Sequence, residues 1–190
     1  NSDQAAIAST LWAAASVSTF VGDLDRAASF YEEALALFKE RVMPGAEAMV
    51  VSDIGHLSYL LGDFDTAKSR FSRLASLASE LGDEKLTANA HYGIARVALA
   101  EGQTEVARDH LELALGGYVR VGHRSNQALA LLCRGVLAIA QADDAAAERC
   151  LSKALSLARE AGEAMDESCI LRCLGDVEAG RGNYAAARVL

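Results

Sequence analysis

Proline occurs once in 190 residues, at Pro44, so nearly the whole chain is free of the residue that most reliably breaks a helix. Aromatics are few: five Phe, five Tyr and one Trp. A core must therefore be built from small aliphatic side chains, which suits closely packed helices better than facing sheets. Basic residues are too sparse for nucleic acid. The 18 Lys and Arg stand against 26 Asp and Glu, a formal charge of −8, and no basic run could neutralise a phosphate backbone. Nothing approaches the roughly 18 consecutive apolar residues that span a bilayer. The start, Asn1-Ser2-Asp3-Gln4, lacks the basic and apolar regions of a secretory signal. The expectation is a cytoplasmic chain that contacts neither nucleic acid nor membrane.

The machinery of common chemistries is missing too. There is no Gly-Lys pair, hence no phosphate-binding loop of the Gly-x-x-x-x-Gly-Lys-Ser/Thr kind. His56, His91, His110 and His123 show no paired metal spacing, and no serine sits in Gly-x-Ser-x-Gly. The adjacent carboxylates Glu32-Glu33 and Asp143-Asp144 read as helix-start or surface charge. All four cysteines, Cys133, Cys150, Cys169 and Cys173, fall in the second half of a chain long enough to fold without disulfides. Cys169 and Cys173 would share a helix face, but neither of the other two belongs to a second metal-type pair, so they read as small apolar packing residues. No enzyme activity, metal or cofactor is expected.

What is present is alanine and register. Alanine fills 38 of the 190 positions, and with 14 Arg to 4 Lys the composition is that of a GC-rich bacterial gene. Displacing the sequence by 40 residues aligns Ala27, Ala67, Ala107, Ala147 and Ala187. It also aligns Gly22-Asp23, Gly62-Asp63, Gly102-Gln103, Ala142-Asp143 and Gly182-Asn183, and the aliphatic series Val17, Leu57, Val97, Leu137 and Val177. Small residues at Ala15, Gly55, Ala95, Gly135 and Gly175 in the first helices, with the Ala27 series in the second, let paired helices approach closely while Tyr31, Phe71, Leu111 and Leu151 fill wider gaps. Gly82, Gly122 and Gly162 close successive units. Glycine ends a helix in the left-handed conformation, and the polar residue after it caps the next.

Each unit thus reads as two helices. First helices are expected near 4–21, 44–61, 84–101, 124–141 and 164–181, and second helices near 24–41, 64–81, 104–121, 144–161 and from 184 onward. Helices of about 18 residues joined by very short turns pack antiparallel. The expected fold is all-α, a right-handed superhelix or solenoid of antiparallel helix hairpins. It forms one array of five units, about 1–42, 43–82, 83–122, 123–162 and 163–190, the last truncated. The open apolar side after Gly182 predicts self-association or fraying at that end.

The run Leu61-Gly62-Asp63-Phe64-Asp65-Thr66-Ala67 with Phe71 resembles the tetratricopeptide signature, as does Gly22-Asp23-Leu24-Asp25-Arg26-Ala27 with Tyr31 and Ala34-Leu35. The usual unit has 34 residues; this one, at 40, carries longer helices. Leu157-Ala158-Arg159-Glu160-Ala161-Gly162 is similar to the unit endings in the helical-repeat arms of large bacterial ATP-binding regulators of the LuxR and MalT type.

The resemblance implies a non-catalytic scaffold that binds a protein or peptide partner, or a small effector, in a groove lined by first helices. On this resemblance it would serve as an arm of a larger transcriptional or signalling regulator; the alternatives are a freestanding adaptor and a peptide-signal receptor. Applied residue by residue, the groove would hold Trp12, Met49, His56, Tyr59, Lys85, Asn89, Tyr92, Arg96, Leu132, Val136 and Arg172. Lys85 and Arg96 favour an anionic or carboxylate-bearing group. The chain departs from the carboxylate clamp that holds chaperone tails: the corresponding places are Trp12, Ser16, Asp53, Asn89 and Gly93, and only one matches.

Overall fold

A computed structural model describes residues 2–183 and Ala187; the helix expected from 184 onward lies outside the described residues. Every regular element among them is an α-helix: α1 Ser2–Phe20, α2 Leu24–Glu40, α3 Pro44–Leu61, α4 Phe64–Leu81, α5 Glu84–Ala100, α6 Thr104–Arg120, α7 Arg124–Ala140, α8 Asp144–Ala161 and α9 Ala164–Gly180. The fold is all-α and built of hairpins that recur at the spacing read from the sequence.

The turns show why the helices stop where they do. At the end of α3, Gly62 takes φ +78°, its N–H bonds the Tyr59 carbonyl at 3.1 Å, and the Asp63 N–H bonds Ser58 at 2.9 Å. These paired bonds satisfy the last carbonyls of the helix. The Asp63 side chain then accepts from the Thr66 N–H and starts α4, as Asp23 starts α2 and Asp143 starts α8. Pro44 sits in the first turn of α3, where its missing N–H has no helical partner to lose. Two turns keep this bonding pattern without glycine: Val42 and Ala142 hold φ of 53° and 56°.

The chain divides into two compact units, residues 1–97 and 98–190. In the first, α1 packs on α2, α2 on α3 and α3 on α4, around a core that includes Tyr31, Leu35, Phe38, Ile54, Leu57, Phe71 and Leu74. Small and large residues interlock there. A Cβ at Gly55 would lie 2.8 Å from the Phe71 ring and one at Gly93 2.4 Å from it, so Phe71 of α4 fills space left by glycines on both α3 and α5. Leu57 and Val97 of the aliphatic series are buried; Val17 is 63% exposed, because the corresponding face of α1 is open to solvent. In the second unit α7 packs on α8 and α8 on α9 over Ala128, Leu131, Leu151, Ala154, Ile170 and Leu174. Leu151 presses on Gly135 as Phe71 does on Gly93: a Cβ there would come within 2.6 Å.

Candidate functional site

Side chains of α1, α3 and α5, the first helices of their hairpins, meet on one side of the first unit. A cleft of about 420 Å³ opens there, lined by Trp12, Met49, Asp53, Lys85, Leu86 and Asn89 among others. Four of these six stand in the predicted groove set. Trp12 is half-buried, and its Nε1–H donates to Asp53 Oδ2 at 2.6 Å, tying α1 to α3 across 41 residues of sequence. Burial pushes the Asp53 carboxyl above its ordinary value, and the Trp12 hydrogen bond offsets this only in part. Met49 and Lys85 are exposed at the cleft; Asn89 is half-buried.

The other four predicted residues of this unit form a second cluster, bridging α3 and α5. Arg96 is its centre. Its guanidinium carbon stands 4.0 Å from the centroid of the Tyr59 ring and 5.7 Å from that of Tyr92, and its Nη1 reaches His56 Nδ1 at 2.7 Å. Tyr59 in turn packs against Phe64, ring centroids 5.8 Å apart. Each cation–π contact contributes about 0.5–1 kcal/mol near a surface. Among the described residues no carboxylate lies within ion-pair distance of Arg96. His56 keeps an exposed edge, yet burial of the ring and then the Arg96 charge hold its pKa down at about 4.

The remaining predicted residues belong to the second unit. Leu132 is half-buried and packs against that unit's core, Val136 is 42% exposed on α7, and Arg172 is exposed on α9. The cysteines are free thiols, and burial raises the Cys173 thiol. Among the described residues no three His, Cys, Asp or Glu side chains gather as a metal-binding group, and no helix is long and apolar enough to cross a membrane.

Asp53 stands on the groove register but outside the residues expected to bind, and Ser52, Leu81 and Leu86 line the cleft beyond that expected set. One signal was available for Asp53. Its equivalents in the other units are Ala13, Gly93, Cys133 and Cys173, so it is the lone charge in a series of small residues.

Against known proteins, a tetratricopeptide-repeat model matches residues 46–118, which run from α3 into α6. No curated protein matches the chain in sequence. Similar solved structures cover almost all of it. BtubC (BKLC) from P. vanneervenii is 22% identical with a TM-score of 0.78, over 98% of this chain and 77% of that one. Aspartyl phosphate phosphatase F from Bacillus subtilis is 14% identical with a TM-score of 0.77; the chain, covered to 98%, spans 58% of its length. A thermophilic TPR protein of Thermus thermophilus is 21% identical with a TM-score of 0.64, over 96% and 87% of the two chains. The chain therefore has a tetratricopeptide-like helical-repeat fold, with the repeat signature recognised across its middle.

Proposed function

We propose that the protein is a non-catalytic interaction scaffold whose first unit binds an extended peptide segment across α1, α3 and α5. One observation carries this reading: the first helices bring an aromatic-walled cleft and a pre-stacked Arg96–Tyr59–Tyr92 cluster to neighbouring positions of one unit. Aromatic and arginine side chains supply most binding hot spots, since they bury large area and carry a polar end. Arg96 is already held by two rings and an imidazole, so little further side-chain freedom is lost when a ligand arrives. Asp53 has a single hydrogen-bonding side-chain partner among the described residues, the Trp12 indole, which is neither acid nor base. The arrangement suits holding a ligand rather than turning one over.

The test uses peptides selected from a random display library on the wild-type protein. Tyr92→Ala and Arg96→Ala should each weaken the selected peptides about tenfold or more while the helical signal is kept. Unchanged affinity on an unchanged fold removes this face as the binding site.

At a finer level, we propose that the scaffold is the sensing arm of a larger regulator. The 40-residue register and the Leu157–Gly162 unit ending support this reading. A flanking phosphate loop and helix-turn-helix in the full gene would bear it out; their absence would favour the freestanding adaptor.

A further inference from the structure

We infer that Asp53 receives a cationic group of the bound peptide, either a lysine or arginine side chain or a free amino terminus, within the Trp12-walled cleft. This inference rests on the reading that the cleft takes a peptide. The carboxylate sits among Trp12, Met49, Leu81 and Leu86, a largely apolar lining in which an unpaired charge is costly. The Trp12 indole N–H occupies one oxygen, Oδ2, and holds the group in place. Among the described residues no side chain bonds the other oxygen and no cation pairs with Asp53. Lys85 shares the cleft but lies outside ion-pair distance of every described carboxylate. The second acidic group at the cleft, Asp83, is engaged in accepting the Leu86 N–H at the start of α5. The cleft thus carries two carboxylates to one ammonium, and the local field favours a further positive charge.

The indole adds a face on which a cation can rest. The carboxyl's raised pKa has the same origin, burial that no neighbouring charge offsets. Nor does the fold require an acid at this place, since the equivalent helices carry Ala13, Gly93, Cys133 and Cys173. Trp12 needs only an acceptor, which an amide oxygen supplies as well as a carboxylate.

Trp12 is the sole tryptophan of the chain, so its fluorescence reports directly on this cleft. The probes are end-capped Ala-Lys-Ala, the same peptide with acetyl-lysine, end-capped Ala-Glu-Ala, and trialanine with free and with blocked amino terminus, each titrated to about 10 mM. The lysine peptide should shift the emission saturably, with the acetyl-lysine and glutamate peptides at least about tenfold weaker. Asp53→Asn should abolish that preference while circular dichroism shows an unchanged melt. The two trialanines decide whether an amino terminus is taken as well as a side chain. Equal binding of the lysine and acetyl-lysine peptides to the wild type would overturn the cationic assignment and leave the peptide-cleft reading standing. No response of Trp12 to any peptide would overturn both.

Discussion

Arg96 Nη1 and His56 Nδ1, 2.7 Å apart, fix each other's chemistry. A guanidinium only donates, so the imidazole nitrogen must accept, and the His56 proton belongs on Nε2. Protonating Nδ1 would break this bond and set two cations face to face.

A pH dependence follows. The folded pKa of about 4 lies below the ordinary value of 6.5, so between these limits the unfolded chain holds more protons at this site than the folded one. His56 should therefore leave stability flat above pH 6.5 and withdraw it as pH falls from 6.5 toward 4. In a proton-detected titration the His56 ring should titrate near 4 in the wild type and move up in Arg96→Ala. A wild-type midpoint near 6.5 would show that the pairing does not persist in solution.

The glycines of the helix interiors should divide sharply. A methyl group at Gly93 would meet the Phe71 ring at 2.4 Å, and the same ring already packs closely on Gly55. Gly93→Ala should destabilise by about 1–3 kcal/mol through overpacking, with partial recovery on Phe71→Leu. Gly116 in α6 has only the far end of the Arg120 side chain at 3.4 Å, and Gly116→Ala should stabilise by about 0.5–1 kcal/mol. Denaturant midpoints of the two variants, moving in opposite directions, are the measurement.

Val42 and Ala142 occupy turn positions where the neighbouring units have glycine, at φ of 53° and 56°. A β-branched residue is strained there, and Val42 is 83% exposed, so its side chain gains little from packing. Val42→Gly should stabilise by about 1 kcal/mol, and Ala142→Gly by less. A lowered melting temperature in Val42→Gly would mean that the valine makes contacts in solution that outweigh its backbone strain.

The fold was legible because its signals are local. Gly22, Gly62 and Gly82 sit where the chain needs positive φ, and Asp23, Asp63 and Asp143 where a helix needs a cap, so the expected limits fall close to those observed. The columns of small and large residues were legible as close approach and gap filling, but not that Phe71 meets Gly55 or that Leu151 meets Gly135. The site was legible only in part. Helical spacing placed Trp12, Asn89 and Arg96 on first helices, but spacing says nothing about which side chains from different helices touch. The Trp12–Asp53 bond and the Arg96–His56 contact arise from lateral packing between helices about forty residues apart in sequence. Leu132 shows the limit from the other side: its register matches that of the groove residues, yet it packs against the core of its own unit.

The place of Phe71 between Gly55 and Gly93 also bears on how the first unit comes apart. A single ring seated in two helices at once cannot leave one of them without loosening the other. Opening of α3 away from α4 and opening of α5 away from α4 are therefore one event, and fraying that starts at either side must pass through the same barrier. Amide hydrogens across α3, α4 and the first part of α5 should exchange with a common opening free energy. In Phe71→Ala that shared value should split into separate, lower ones for the flanking helices.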